Sequence, residues 1–200
     1  SGIVNSPNND PDILNDTGLF NPTGVVTDAQ GNLWVADTGN GRALRFARPF
    51  DQPKDRQQRA NLVLGQSGFN IKLTDATRTN MRSPYGLALT AEGHLMVSDS
   101  SLNRLLLFRR PIGGGDFTNG QAAATVFGQR DFISVAAVDA DNRFNVPGHI
   151  AIDTDDRVYV CDMGKSRIVI FDRVINAAND PAPVQVLRET LTINDTLRNP

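Results

Sequence analysis

Short apolar runs separated by turn-forming residues recur along this chain. In one stretch the apolar runs are 25–26, 33–35 and 43–46, and the segments between them are rich in Gly, Asn and Asp. Residues of these types tolerate the positive φ angles of tight turns, so the pattern predicts three short antiparallel strands. A fourth strand is predicted at 62–66, after a longer and more variable loop.

This unit occurs three times. Residues 22–46, 84–108 and 147–171 align without a gap, and their first residues lie 62 and 63 positions apart. Self-similarity at a nearly constant period is the sequence signature of a repeat architecture. Further fourth strands are therefore predicted at 125–129 and 184–187. Among the columns identical in every copy are Pro22, Pro84 and Pro147; Asp37, Asp99 and Asp162; Arg42, Arg104 and Arg167; and Phe46, Phe108 and Phe171.

The third strand of the repeat is apolar on both faces. In the second and third copies, 105–108 and 168–171 contain only Leu, Ile, Val and Phe. Both faces of such a sheet must be covered, and radial stacking of four-stranded units covers them. The sequence therefore predicts an all-β chain made of β-propeller blades, each of four antiparallel strands, in an incomplete ring.

The predicted organisation is one β-propeller segment over residues 1–200. Residues 1–21 lead into the first blade, and residues 188–200 begin a further blade, because 198–200 (Arg-Asn-Pro) echo 82–84 (Arg-Ser-Pro). The predicted blade cores are 22–69, 84–132 and 147–187.

The repeat pattern Pro-x-Gly-apolar, Gly-x-apolar-x-Val-x-Asp, Asn-x-Arg and a closing Phe resembles the NHL repeat. The Leu-Gly-Gln segment at 64–66, which is Phe-Gly-Gln at 127–129, resembles the corresponding segment of bacterial members of that family. The resemblance implies a six-bladed ring that serves as a binding platform for proteins, RNA or other ligands, with a few enzymatic relatives such as the peptidyl-hydroxyglycine lyases. This chain departs from the pattern in its long insertions and in Arg188, which stands where the other copies have Gly65 and Gly128.

Three blades do not close a ring, because propellers have typically four to eight. The chain is therefore interpreted as a fragment of a longer protein. The alternative is a half-ring that pairs with a second copy of itself to give a six-bladed homodimer.

The repeated polar columns are interpreted as structural, because one functional site does not need three copies. We expect each Asp of the repeat to accept backbone N–H groups in the turn after strand two, and the Arg of the same copy to pair either with that Asp or with the next blade. The Phe column is expected in the core. Cys161 lies among apolar residues and is expected to be buried and inert, and His94 is expected to be exposed.

Seven residues are candidates for a ligand-binding rim, because loops on a rigid scaffold usually carry function. His149 takes the column held by Gly24 and Gly86, at the start of the innermost strand and near the central channel. The other six lie in the turns after strand two: Thr38, Asn40, Ser100, Asn103, Met163 and Lys165.

The sequence gives little support for a catalytic or metal-binding motif. A zinc site needs several converging histidines, and the chain has two. Asp153, Asp155 and Asp156 cluster in a turn, which favours a solvated turn over a calcium site. The sequence predicts no catalytic residue, no metal site and no cofactor.

The net charge of the chain argues against two kinds of partner, nucleic acid and anionic membranes. The net charge of -2 gives no field that would attract nucleic acid or an anionic membrane. The leading hypothesis is a non-enzymatic scaffold that binds another protein or a small ligand. The alternatives are a metal-dependent lyase or hydrolase completed by further blades, and the self-pairing assembly module. The compartment is not assigned, and export of a bacterial protein with removal of its signal is compatible with the Ser-Gly start.

Overall fold

The computed structural model describes residues 15–188. Over this range the chain forms three four-stranded antiparallel sheets, and within each sheet the strands are neighbours in chain order. We number the sheets as blades 1 to 3. Blade 1 contains β1 (Pro22–Thr27), β2 (Leu33–Asp37), β3 (Arg42–Phe46) and β4 (Ala60–Leu64); blade 2 contains β5 (Pro84–Leu89), β6 (Leu95–Asp99), β7 (Arg104–Phe108) and β8 (Thr125–Phe127); blade 3 contains β9 (Pro147–Ile152), β10 (Val158–Asp162), β11 (Arg167–Phe171) and β12 (Gln185–Arg188).

The turns use the residues that the repeat supplies for positive φ. Between the first two strands of each blade this residue is Gly31, Gly93 or Asp156. Between the second and third strands a single 3₁₀ turn ends on a residue in the left-handed region, and in blade 2 that residue is Asn103, with φ of 52°. The corresponding 3₁₀ turns are Thr38–Asn40, Ser100–Leu102 and Met163–Lys165, and further 3₁₀ turns lie at Pro49–Asp51 and Val174–Asn176.

Apolar side chains fill the space between consecutive blades. One buried cluster joins blades 1 and 2, with Trp34 packed edge-to-face on Phe117 at a centroid distance of 5.4 Å. A second joins blades 2 and 3, with Phe127 against Phe171 at 5.3 Å. The predicted core positions Phe46, Phe108 and Phe171 are all buried.

The predicted fold class is confirmed: the chain is all-β and its sheets are propeller blades that are not closed into a ring. Blades are neighbours through their first strands, β1 beside β5 and β5 beside β9. Within the described range no helix has the length and apolarity needed to cross a membrane. Of the predicted lead-in and of the predicted further blade, residues 1–14 and 189–200 lie outside the described residues.

The Asp and Arg columns attach each blade to the chain segment before it. In blade 2 the buried Arg104 donates to Asp99 and to the carbonyl oxygens of Thr77, Asn80 and Phe132. Burial raises the pKa of Asp99, and the charge of Arg104 opposes that rise. The Asp–Arg pairing expected from the repeat is therefore confirmed.

The backbone donors to these aspartates differ from expectation. Asp99 accepts the N–H group of Ser83 at 2.9 Å, and Asp37 accepts that of Phe20 at 2.6 Å. Both donors precede strand one, so the expectation that they lie in the turn after strand two is wrong. The reason is topological: the incoming chain runs beside the end of strand two, which residue spacing alone does not show.

Candidate functional site

Two of the seven predicted rim residues join neighbouring blades. The hydroxyl group of Thr38 donates to the carbonyl oxygen of Pro84 at 2.6 Å, and that of Ser100 donates to Pro147 at 2.5 Å. Both bonds connect the turn after strand two with the first strand of the next blade. The two side chains therefore hold the blades in register.

Three more rim residues bind loops of the chain itself. Asn40 is buried and donates to Asp37 at 2.9 Å. The side chain of Asn103 donates to Val135 at 3.0 Å and accepts the N–H group of Val146 at 2.9 Å. The ammonium group of Lys165 donates to the carbonyl oxygens of Val138, Ala140 and Arg143.

The last two predicted rim residues, His149 and Met163, are exposed, and Met163 lies against Gly148. Met163 is 44% exposed, and its sulfur would lie 2.8 Å from a Cβ atom placed on Gly148, the residue before His149. The His149 ring packs edge-to-face on Tyr85, with 5.1 Å between ring centroids. We call His149, Met163 and Tyr85 the blade 3 rim. Tyr85 was missed by the sequence reasoning, although it directly precedes Gly86, which occupies the same column as His149.

The column of His149 has a different steric environment in blades 1 and 2. A Cβ atom at Gly24 would lie 2.4 Å from the carbonyl oxygen of Tyr85, and one at Gly86 would lie 2.6 Å from that of Gly148. Glycine is thus required wherever the first strand of the next blade packs in this way. Blade 3 has a side chain in this column, and the His149 ring packs on Tyr85 of blade 2.

A second polar region lies between blades 1 and 2, at the opposite ends of the strands. It is a cleft of about 560 Å³. Arg45 makes a two-pronged ion pair with Asp116, at 2.7 and 2.8 Å, and its guanidinium group lies 5.5 Å from the centroid of the Trp34 ring. The hydrogen bonds from Arg45 lower the pKa of Asp116. Arg45 also donates to Asn61 at 3.1 Å, so its guanidinium group connects β4 of blade 1 with Asp116 of blade 2.

The acidic turn of blade 3 is held by its own hydrogen bonds. Asp153 accepts the backbone N–H groups of Asp155 and Arg157 and the hydroxyl group of Tyr159. Desolvation raises the pKa of Asp153, but these bonds and the Arg157 guanidinium group together lower it to about 2. Across residues 15–188, no three His, Cys, Asp or Glu side chains are grouped so as to hold a metal ion.

Two expectations about single residues are wrong. His94 is buried, and its Nδ1 atom accepts the backbone N–H group of Arg110 at 2.8 Å. This places the imidazole proton on Nε2, which lies 3.2 Å from the Glu92 carboxylate. Cys161 is only half-buried, because it lies on the face of blade 3 that does not pack on blade 2.

Comparison with known proteins agrees with this geometry. Residues 21–45 match the NHL repeat family. A putative 6-phosphogluconolactonase from Bacteroides uniformis is 16% identical, with 88% of this chain and 44% of that chain covered and a TM-score of 0.52. The periplasmic gluconolactonase of Pseudomonas aeruginosa is also 16% identical, with 86% and 40% covered and a TM-score of 0.52.

A third solved structure is the β-propeller domain of a protein from Myceliophteria thermophila, at 16% identity and a TM-score of 0.50, with 83% of this chain and 42% of that chain covered. The chain thus spans 40 to 44% of the length of these three structures. No curated protein matches the chain in sequence. The three sheets and the structural neighbours identify the chain as a β-propeller segment, in which residues 21–45 match the NHL repeat.

Proposed function

We propose that this chain is a non-enzymatic propeller scaffold that binds another protein or a small ligand at the blade 3 rim. The observation that carries the proposal is a comparison between blades. The positions filled by Gly86 and Ser100 in blade 2 are used to join blade 3, whereas the equivalent His149 and Met163 are exposed. Among residues 15–188, blade 3 is the blade with exposed side chains at both of these positions.

The chemistry of the rim suits binding. An imidazole ring, a phenol ring and a thioether combine apolar contact area with a few polar atoms. They stand on first strands and turns that buried ion pairs and inter-blade hydrogen bonds hold in place, which lowers the ordering cost of association. The lactonase activities of two structural neighbours are not carried over, since 16% identity supports the fold alone.

A random-peptide library displayed on phage and selected against the full chain tests the proposal. We expect enriched peptides to bind His149→Gly and Met163→Ser at least about tenfold more weakly, because a few exposed anchors carry most binding energy. Both substitutions install residue types that the other blades carry at these columns, so folding is retained.

The matched control is Gln30→Ala. Gln30 is exposed in the turn between the first two strands of blade 1, at the other end of the sheet, and this variant should bind the same peptides unchanged. Peptides that lose affinity for Gln30→Ala but bind both rim variants normally would place the binding surface in the cleft between blades 1 and 2 and reject the rim.

A further inference from the structure

The loop between β8 and β9 exposes a run of mostly apolar side chains. Residues 133–138 read Ile-Ser-Val-Ala-Ala-Val and contain no charged residue, glycine or proline. Ile133 is 72% exposed, Val135 43% and Val138 49%, and the two alanines before Val138 are exposed as well. The loop lies between two described blades, so blades 2 and 3 are already in place around it. Single exposed apolar residues are ordinary, whereas a contiguous group marks an interaction site, and we call residues 133–138 the apolar segment.

The equivalent loop after blade 1 is more polar at the matching positions. Both loops begin with a glutamine whose side-chain amide donates to the carbonyl oxygen seven residues later, Gln66 to Leu73 at 2.9 Å and Gln129 to Ala136 at 3.0 Å. This shared contact aligns the apolar segment with residues 70–75, which read Asn-Ile-Lys-Leu-Thr-Asp. A loop of this kind therefore folds without a run of exposed apolar residues, and the run in the second loop is not a requirement of the fold.

Side chains of blades 2 and 3 hold the apolar segment in place through its backbone. Three of them donate to its carbonyl oxygens: Asn103 to Val135 at 3.0 Å, Gln129 to Ala136 at 3.0 Å and Lys165 to Val138 at 2.7 Å. The backbone N–H groups of residues 135–138, in contrast, donate to no other group among residues 15–188. The segment is thus fixed without belonging to a sheet, which lowers the ordering cost of binding and leaves its donors for a partner.

A strained valine lies beside the apolar segment. Val146 has a φ of 55°, in the left-handed region that β-branched residues rarely adopt, and its side chain is 42% exposed. The Asn103 carboxamide that donates to Val135 also accepts the N–H group of Val146 at 2.9 Å, so the backbones of the two valines are neighbours. Blade 1 has Asn21 in the same column, with a φ of 48°, and asparagine tolerates this conformation. Strain retained for an exposed apolar side chain points to a use outside the fold.

The charges beside the apolar segment are mainly negative. Of the four charged side chains in residues 130–141, three are carboxylates: Asp131, Asp139 and Asp141. Arg130 is paired with Asp131 at 3.2 Å, and Asp141 is paired with Arg188 at 2.6 Å. Asp139 is fully exposed and lies 3.8 Å from Lys165, whose ammonium group already donates to three carbonyl oxygens. The Asp139 carboxylate therefore favours a cationic group on whatever covers the segment.

We propose that the apolar segment and Val146 form a docking surface for an extended apolar segment of another protein that carries lysine or arginine at its ends. The extended backbone of the partner supplies carbonyl oxygens for the N–H groups of residues 135–138, as in the addition of a strand to an exposed edge. Its apolar side chains cover the exposed valines, and its cation meets Asp139. This inference goes beyond the proposed function, because it names a second surface and a different partner chemistry.

The experiment is a titration of two fluorescently labelled peptides with the full chain, followed by fluorescence anisotropy. One peptide is Lys-Lys-Val-Ile-Val-Ile-Lys-Lys, and the other has the same apolar core between glutamates. We expect the lysine peptide to bind at least about threefold more tightly than the glutamate peptide, because of the carboxylates beside the segment. Added salt should reduce the difference, and so should Asp139→Asn.

Two variants test the surface itself. Val135→Ser removes an apolar side chain but keeps the bond from Asn103, which uses the backbone oxygen, and should weaken binding of the lysine peptide by about tenfold. Leu73→Ser, at an exposed leucine of the equivalent loop after blade 1, is the matched control that should leave binding unchanged. Val146→Asn should weaken binding while it raises the midpoint of thermal unfolding by a few degrees, a combination that loss of structure does not produce.

The outcomes separate this inference from the scaffold proposal. Absence of binding of the lysine peptide, or equal losses in Val135→Ser and Leu73→Ser, overturns the docking surface. Loss of binding in His149→Gly but not in Val135→Ser also overturns it, and would place the peptide on the blade 3 rim in support of the scaffold. Self-association in light scattering that Val135→Ser abolishes, without peptide binding, would identify a second copy as the occupant and reject a partner segment. Peptide binding that depends on Val135 but not on His149 supports the docking surface even if the rim binds nothing.

Discussion

The hydroxyl group of Ser98 donates to the carbonyl oxygen of Gly148, 2.6 Å away across the joint between blades 2 and 3, and accepts the N–H group of Gly86 at 2.8 Å. One buried side chain thus connects a strand of its own blade with the first strand of the next. At the joint between blades 2 and 3, such polar contacts accompany a buried cluster of apolar side chains.

Substitution of Ser98 tests the strength of this joint. Ser98→Ala leaves a buried N–H group and a buried carbonyl oxygen without their partner, and should lower the free energy of unfolding by about 1–3 kcal/mol. Urea denaturation followed by circular dichroism measures the change. The control Ser101→Ala removes an exposed hydroxyl group and should change stability by less than about 0.5 kcal/mol. Equal effects at both positions would contradict the joint's dependence on Ser98.

Gly86 and His149 share a column but should tolerate substitution differently. A Cβ atom at Gly86 would lie 2.6 Å from the Gly148 oxygen and 2.9 Å from the Cα atom of His149, both of them backbone atoms that cannot move alone. We expect Gly86→Ala to cost about 1–3 kcal/mol by overpacking.

The control for Gly86→Ala is the substitution of the exposed His149 by alanine. His149→Ala should change stability by less than about 0.5 kcal/mol, since it removes only an exposed side chain. Thermal unfolding of Gly86→Ala and His149→Ala shows which of the two variants is less stable. A Gly86→Ala protein as stable as the parent would show that the blades separate without cost.

Arg104 should not be replaceable by lysine. Its guanidinium group serves Asp99 and three carbonyl oxygens at once, and an ammonium group cannot reach them all. Arg104→Lys should therefore lower the free energy of unfolding by about 1–3 kcal/mol, because buried carbonyl oxygens lose their donor. The fluorescence of the buried Trp34 is a convenient probe in guanidinium chloride.

The control for Arg104→Lys is the same substitution at an exposed arginine. Arg130 pairs with Asp131 at the surface, and Arg130→Lys should change stability by at most about 0.5 kcal/mol, because exposed pairs contribute little. If Arg104→Lys lowers the free energy of unfolding no more than Arg130→Lys does, the hydrogen bonds of Arg104 do not hold blade 2 to the chain segment before it.

The Asp153 carboxylate should stay ionised until the pH falls to about 2. Its pKa of about 2 in the folded chain lies below its value in the unfolded chain, near 3.9. The turn of blade 3 therefore gains stability from this carboxylate at pH values above about 4, and loses it as the pH falls through about 2. Carboxyl carbon chemical shifts followed by NMR should show a midpoint near 2, with Asp153→Asn identifying the signal by its disappearance. A midpoint near 4 would show that the hydrogen bonds from Arg157 and Tyr159 do not persist in solution.

Much of the fold was accessible from the sequence because the same short-range pattern is repeated. Turn residues such as Gly31 and Asp156 act locally through their backbone angles, and the Phe column marks the core in every copy. The candidate site was accessible only in part. His149 became a candidate because it breaks a glycine column, but four of the other rim residues proved to bind backbone carbonyl oxygens of their own chain and Asn40 the Asp37 carboxylate.

The amino-acid sequence by itself determined the blades, because strand pattern, turn chemistry and the Asp–Arg pair are properties of segments about 25 residues long that recur in register. Only the tertiary structure decided which side chains of these columns join two blades and which are exposed within the described range. Ser100 and Met163 occupy the same column, yet one meets a carbonyl oxygen of the next blade and the other is exposed. That distinction depends on which strand packs against each face, and this packing brings together residues far apart in the chain.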